Sequence, residues 1–358
     1  MIARAAELRS RRRHADRRKI VGVLIAVAVV AIVFAYVLPK IADYGNVWQV
    51  VSGLSWWWIL ALLGASALFV LSDAPPWMTV LPGLGFFNAL RLDLAGSALS
   101  QVLPGGAAVN AATQVGMLRS WGFQGRPVAL AVSLTTLWNW FFTYGFPVIA
   151  IGALSLEGGH QRTLVPVALA GLLIVVLMIG AIVAILWSPA KANSLGEWSA
   201  RVATRLRKLF HKGPAPWGGA DLVGFRSEAI GLLRHRWPAL TVTTLVNQLA
   251  AFFVLLVALR ALGVTRAEVD PVEAFGAWSL VRALGTIPIT PGGLGVQEVA
   301  LSGALVGFGA HSAQAVAATL VYRFVTTVPS VLLGLASVAT YNLGKPKLKL
   351  AHPRAQPR

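Results

Sequence analysis

Residues Leu284 to Glu298 read LGTIPITPGGLGVQE and interrupt a long apolar region of the chain. Two prolines and three glycines break any continuous helix here: Pro288, Pro291, Gly292, Gly293 and Gly295. At membrane depth, a broken backbone leaves N–H and C=O groups that lipid cannot satisfy. Such a break survives only inside protein or beside a water-filled cavity. The stretch therefore predicts two half-helices with a site next to the break.

The composition is that of a membrane protein. The 358 residues are 56% hydrophobic and 12% charged, with a mean hydropathy of +0.69, whereas soluble domains carry about 25% charged residues. We therefore predict an all-α fold, a polytopic membrane helix bundle. The chain has no cysteine, which excludes disulfides, thiolate metal sites and cysteine nucleophiles.

The net charge of +18 is concentrated in three segments. Eight basic residues precede Ile20, nine lie between Trp187 and Trp237, and five follow Tyr341. Positive residues flanking apolar spans mark cytoplasmic loops. A nucleic-acid partner would require a basic face on a soluble module, and the sequence shows none. We predict a multi-pass protein of the cytoplasmic (inner) membrane with both termini in the cytoplasm.

The predicted organisation is a basic cytoplasmic arm (1–19), a transmembrane domain (20–341) and a basic cytoplasmic tail (342–358). The first apolar run is long for a signal peptide and lacks a cleavage site, so we interpret it as an uncleaved anchor. Asp73 and Pro75-Pro76 are expected to end the second span. Six spans are predicted, at residues 20–38, 56–71, 128–151, 164–187, 238–262 and 313–341.

Two further segments are apolar but interrupted. Residues 88–126 are broken at Pro104, Gly105 and Gly106, and residues 271–309 contain the opening stretch. No piece on either side of a break is long enough to cross a bilayer. Each segment is therefore predicted to be a re-entrant hairpin.

The loop at residues 188–236 contains apolar residues at helical spacing, including Trp198 and Val202, with Arg201 and Arg205 on another face. This pattern predicts an amphipathic helix. The helix lies either on an anionic leaflet or against the bundle as a connector.

The order of motifs repeats along the chain. Pro104-Gly105-Gly106 precedes Trp138-Asn139-Trp140-Phe141, and Pro291-Gly292-Gly293 precedes Tyr322-Arg323-Phe324. From the charge pattern, the first hairpin opens inside and the second outside. Inverted repeats with broken helices are typical of transporters, with the substrate site at the repeat interface.

Ionisable residues at membrane depth are candidates for function. Arg282, Glu298 and Arg323 belong to the second repeat. An arginine can hold a phosphate bidentately, which favours a phospholipid or polyprenyl phosphate as ligand. Glu298 lies at the start of a half-helix, where the dipole favours a carboxylate. It is a ligand, a proton coupler or a structural ion pair with Arg282 or Arg323.

Polar stripes accompany these charges. Thr319, Thr326 and Thr327 share a helix face with Arg323, and Thr136, Asn139 and Thr143 form the matching, uncharged stripe of the first repeat. A site charged by the second repeat alone is therefore predicted. Asn247 and Gln248 are expected to make interhelical hydrogen bonds. The predicted substrate-binding residues are Arg282, Glu298, Arg323, Tyr322, Thr326 and Asn139.

Signatures of an enzyme are missing from the sequence. The six histidines are scattered, and no His-x-x-x-His pair, nucleophile motif or P-loop is present. We expect no catalytic residues, no metal and no cofactor.

The opening motif and a second one carry a family resemblance. Thr290 to Glu298 reads TPGGLGVQE, and Leu320 to Arg323 reads LVYR, followed by Pro329. With these motifs the chain resembles the lysylphosphatidylglycerol synthase transmembrane-domain family of flippase-like proteins. The resemblance implies a bundle that moves a lipid headgroup, in its best-known members an aminoacylated phosphatidylglycerol. It places Glu298 and Arg323 in the family's charged motif.

The first hairpin departs from this pattern. It reads PGGAAVNAATQ from Pro104 to Gln114, where the family usually carries a glycine-glutamate pair and an arginine. Only about 17 residues follow the last span, so the chain is not expected to make an aminoacyl lipid by itself.

Three functions remain open at this stage. The chain is a translocator of a phospholipid or lipid-linked headgroup, a transporter of a small polar solute or ion, or a non-catalytic partner of a lipid-modifying enzyme. The sequence does not define an oligomeric state.

Overall fold

A computed structural model describes most of the predicted transmembrane domain. The described residues are 49, 52–102, 106–123, 125–156, 169, 171–177, 179–180, 188–209, 213, 218–286, 293 and 295–340. Several sequence predictions fall outside them: the arm, the tail, the span at 20–38, most of the span at 164–187, and Pro104, Gly105, Pro288, Pro291 and Gly292.

The first half of the described chain contains five helices. They are α1 (Trp56–Ser72), α2 (Ala74–Val80), α3 (Phe86–Val102), α4 (Gly106–Ser120) and α5 (Arg126–Leu156). Helices α3 and α4 lie on either side of the first predicted break and are called hairpin one. Gly106 has a φ of +43°, a left-handed conformation that glycine adopts readily.

The second half has the same order of elements. Helix α6 (Pro189–Leu209) precedes α7 (Gly219–Ala261), and α8 (Pro271–Leu284), α9 (Val296–Phe308) and α10 (Ser312–Thr340) follow. Helices α8 and α9 flank the second predicted break and are called hairpin two. The described residues contain no strand, so the predicted all-α class is confirmed.

Among the described residues, four helical segments are long and apolar enough to cross a membrane: Trp56–Val80, Arg126–Ser155, Gly219–Ala261 and Ser312–Thr340. The hairpin helices have 17, 15, 14 and 13 residues, fewer than the roughly 20 needed for a crossing. The predicted polytopic bundle is confirmed by the long helices.

Two predicted span boundaries differ from the structure. Helix α1 ends at Ser72 with Asp73 as its C-cap, as predicted, but Pro75 and Pro76 occupy the first turn of a second helix, α2, where a missing N–H costs no helical hydrogen bond. The span therefore continues to Val80, with Asp73 inside it. The helix that carries the predicted fifth span begins at Gly219, and Pro238, where the span is predicted to begin, lies within this 43-residue helix α7.

The first arm of each hairpin packs against a helix of the other half of the chain. The first arm of hairpin one, α3, packs against α10 of the second half, and the first arm of hairpin two, α8, packs against α5 of the first half. Helices α1 and α7, which precede the two hairpins, pack against each other. This reciprocal packing is the arrangement expected for two related repeats.

Helix α6 is the predicted amphipathic helix, and it extends further than predicted, from Pro189 to Leu209. It packs against α7, where a Cβ at Gly196 would lie 2.8 Å from the Cα of Gly219. Trp198 is exposed. The helix therefore contacts the first part of α7 and leaves an apolar side chain unpacked.

The close approach of α3 and α10 depends on Gly334. A Cβ at this position would overlap the carbonyl of Leu94 and lie 2.5 Å from the Cβ of Ala98. We expect Gly334→Ala to lower the free energy of unfolding by about 1–3 kcal/mol, because the extra methyl separates the helices. Thermal unfolding in detergent measures the effect. The control is Gly303→Ala in α9, where a Cβ meets no atom within 4 Å; equal melting temperatures for both variants would contradict the prediction.

Candidate functional site

The helix ends on either side of the two breaks border a cavity of about 440 Å³ that is partly open to the surface. Gln101 and Ala107 line it from the ends of α3 and α4, and Thr286 and Gln297 line it from the ends of α8 and α9. Residues of α1, α2, α5, α7 and α10 contribute the rest of the described wall. The opening stretch therefore ends beside a polar cavity, as its composition indicated.

Arg282 and Arg323 provide positive charge to the cavity. Arg282 lies near the end of α8, with its guanidinium carbon 5.4 Å from the ring centre of Trp278. Its Nε atom is buried and has no hydrogen-bond partner among the described residues. The guanidinium also forms no salt bridge within the described part of the chain. Arg282 is thus held by an aromatic face and has hydrogen-bonding capacity for a ligand.

Arg323 is anchored by hairpin two. Its Nε donates to Oε1 of Glu298 at 2.6 Å, and its Nη1 donates to Oε1 of Gln297 at 3.2 Å. The other carboxylate oxygen of Glu298 accepts from the backbone N–H of Gly295 at 2.7 Å. Gly295 has a φ of +82°, which explains a glycine there. This network ties the first turn of α9 to α10.

Glu298 differs from the predicted ligand set in its position. Its side chain is only 8% exposed, against 17% for Arg323, and it is not one of the side chains that line the cavity. Of the three roles considered for Glu298, the one that the structure contains is the ion pair with Arg323.

The prediction that charge comes from the second repeat alone is wrong for the cavity. Asp73, between α1 and α2, and Asp93, in α3, both line it. Asp73 accepts from the amide of Asn247 at 2.7 Å. Asp93 accepts from the indole of Trp77 at 2.8 Å and from Ser97 at 3.4 Å. The first half therefore contributes carboxylates where the second contributes guanidinium groups.

Sequence reasoning missed these aspartates because Asp73 was predicted to lie at a helix end, and Asp93 lies near the start of the hairpin predicted at residues 88–126. The membrane-depth rule would have found Asp73 if the span had been extended to Val80.

The remaining predicted residues line the cavity as neutral groups: Tyr322, Thr326 and Asn139. Tyr322 accepts a hydrogen bond from the indole of Trp278 at 2.9 Å. Asn139 accepts from Gln248 at 2.5 Å. With the Asn247 contact to Asp73, this confirms the predicted interhelical bonds of Asn247 and Gln248. Thr136 and Thr143 of the first polar stripe also face the cavity, whereas Thr319 of the second stripe does not.

The second break contains two described glycines, Gly293 and Gly295, both with positive φ. A Cβ at Gly293 would overlap the amide of Gln297, the side chain that accepts from Arg323. Glycine at this position lets the amide reach the arginine. Within the described residues, no group of three or more His, Cys, Asp or Glu side chains could hold a metal ion.

A helical bundle with four membrane-length segments and a charged cavity between two broken hairpins defines a multi-pass membrane protein. The family model described as "Lysylphosphatidylglycerol synthase TM region" matches residues 20–334. The chain therefore belongs to this family, and the resemblance in the sequence motifs is confirmed. A search among curated proteins found no match.

Proposed function

We propose that the protein translocates a phospholipid or lipid-linked headgroup across the cytoplasmic membrane. The observation that supports this most is a polar cavity lined by the helix ends next to both breaks, in a bundle whose long helices are apolar. Binding sites at repeat interfaces formed by broken helices are the pattern of transporters.

The cavity has the size and chemistry for a headgroup. Its volume of about 440 Å³ falls within the range of roughly 300–1,000 Å³ for ligand sites. Arg282 and Arg323 both line it, and guanidinium groups bind phosphate oxygens with paired hydrogen bonds. The acyl or prenyl chains would remain in the surrounding lipid, because only the polar part of such a molecule needs protection from hydrocarbon.

The proposed mechanism is alternating opening of the two hairpins. The reciprocal packing of α3 on α10 and of α8 on α5 allows one hairpin to move while the opposite half remains in place. With basic segments in the cytoplasm, hairpin one opens inward and hairpin two outward, and both termini lie inside. The process changes no covalent bond, so the proposal requires neither a catalytic residue nor a cofactor.

Headgroup binding by Arg282 is tested by lipid movement in proteoliposomes. We expect Arg282→Ala to slow movement of a fluorescent anionic phospholipid at least about tenfold, because charge-assisted hydrogen bonds contribute roughly 1.5–3 kcal/mol each. Dithionite quenching of the outer-leaflet label measures the rate. Arg234→Ala is the control, since Arg234 is exposed on α7 and absent from the cavity wall.

Three outcomes separate the proposal from its alternatives. Equal rates for Arg282→Ala and wild type would contradict the assignment of Arg282. Uptake of a polar solute by a protein that moves no lipid would favour the solute-transporter function. Co-purification with a lipid-modifying enzyme, combined with no flux of either kind, would favour the partner function.

A further inference from the structure

We infer that the acidic end of the cavity binds a free alkali cation, for which Na⁺ is the test ion. The ligands are the carboxylates of Asp73 and Asp93 and the hydroxyl of Thr244, all three of which line the cavity. Cation binding here goes beyond the proposed function, because it does not depend on which molecule the cavity transports.

The two carboxylates line a shared cavity and form no salt bridge among the described residues, although the charge of Arg282 acts on Asp73 from further away. Asp73 is held by the amide of Asn247 and Asp93 by the indole of Trp77, both of which are neutral donors. No lysine or arginine nitrogen among the described residues lies within 4 Å of either carboxylate. Two carboxylates that share a poorly hydrated site repel each other, and a bound cation relieves that repulsion.

Thr244 provides an independent observation. Its side chain is 4% exposed, and its Oγ1 has no hydrogen-bond partner in the described structure. It lies on α7 three residues before Asn247, so both residues share the helix face that meets Asp73. An unpartnered buried hydroxyl costs roughly 1–3 kcal/mol, and the lone pairs of its oxygen can instead coordinate a cation.

The ligand set selects among cations. Carboxylate and hydroxyl oxygens are hard ligands, which suit alkali and alkaline-earth ions better than transition metals. Ca²⁺ takes six to eight oxygens and usually several carboxylates, whereas only Asp73 and Asp93 are acidic on the cavity wall. Arg282 lines the same cavity, and its positive charge further disfavours a divalent ion. A monovalent cation fits this balance of charge.

Binding is measured as stabilisation of the purified protein in dodecyl maltoside, a detergent without amines. NaCl replaces choline chloride at constant ionic strength and pH. We expect the melting temperature to rise with the logarithm of the Na⁺ concentration above the dissociation constant, by about 2–4 °C at tenfold excess over that constant. Asp93→Asn and Thr244→Val should lose most of this rise. Glu197→Gln, an exposed carboxylate on α6, should retain it.

Several results would overturn the inference. One is the absence of a Na⁺-dependent rise in melting temperature in the wild type. Another is a rise in Thr244→Val and Asp93→Asn that is as large as the rise in the wild type. A rise produced by added phosphatidylethanolamine but not by Na⁺ would assign the carboxylates to a headgroup ammonium instead. If Asp93→Asn does not fold, Thr244→Val decides, because it changes one hydroxyl to a methyl of the same shape. The melting experiment requires no lipid movement, so a failure of the transport assay leaves this test unaffected.

Discussion

Replacing Glu298 with alanine is expected to lower the free energy of unfolding by about 3–5 kcal/mol, the range for breaking a buried ion pair by removing one member. Two groups lose an acceptor at once. The guanidinium of Arg323 loses a 2.6 Å contact, and the N–H of Gly295 loses its 2.7 Å acceptor. The ion pair joins α9 to α10, so its loss also frees the end of hairpin two beside the cavity.

An exposed ion pair in the same protein provides the control. Arg126 and Glu228 lie 3.9 Å apart, with side chains that are 53% and 36% exposed. Surface pairs contribute roughly 0–1 kcal/mol, so Glu228→Ala should change the unfolding free energy by less than about 1 kcal/mol. Denaturant titration in mixed micelles, followed by tryptophan fluorescence, measures both variants.

A double-mutant cycle tests the structural assignment of Glu298. If the pair is structural, the double variant Glu298→Ala/Arg323→Ala loses less unfolding free energy than the sum of the two single variants. The second change removes the guanidinium that has lost its carboxylate. Normal stability of Glu298→Ala together with abolished lipid movement would instead show that the carboxylate acts on a ligand.

The breaks in the helices could be predicted because they are local properties of the chain. Proline removes a backbone donor and glycine favours conformations that helices avoid, so the ends of α3 at Val102 and α8 at Leu284 required no knowledge of neighbouring helices. The all-α membrane class followed from composition for the same reason. The polar stripe around Asn139 also follows from helical periodicity alone.

The acidic side of the cavity depended on tertiary structure. Proline is compatible with the first turn of a helix as well as with its end, so Pro75 and Pro76 could not distinguish a stop from the start of α2. Because of that ambiguity, the sequence did not show that Asp73 lies within a candidate membrane span. Asp93 faces the cavity because α3 of the first half packs against α10 of the second, and pairing between distant helices is not encoded in the spacing of α3. The matching contact of α8 with α5 brings Arg282 to the same cavity as the aspartates.

The distribution of charge has a consequence for how a headgroup would sit. Guanidinium groups come from α8 and α10, and carboxylates come from the α1–α2 junction and α3. A phosphate is attracted to the first set and repelled by the second, so the cavity imposes an orientation on any charged ligand. A cation at Asp73 and Asp93 would weaken that repulsion.

Trp278 is the second position where we expect a large effect. It is 2% exposed, and its ring lies 5.5 Å from that of Phe252 and 6.0 Å from that of Phe146. Its N–H donates to Tyr322 and its ring supports Arg282. Trp278→Ala should cost about 3–5 kcal/mol of unfolding free energy, since it empties a packed core position. Trp198→Ala, at an exposed site, should change stability by less than about 0.5 kcal/mol.

Trp278→Phe separates packing from positioning. Phenylalanine retains an aromatic ring but cannot donate to Tyr322. The loss of one neutral hydrogen bond lowers the free energy of unfolding by roughly 1 kcal/mol. We therefore expect a small decrease in melting temperature and a clear decrease in the rate of lipid movement in proteoliposomes, because Tyr322 and Arg282 lose a common support. A transport rate equal to that of the wild type would contradict this role and leave Trp278 as a core residue. A decrease in rate much larger than the decrease in stability would show that the aromatic cluster between α5, α7 and α8 holds the cavity wall in its binding geometry.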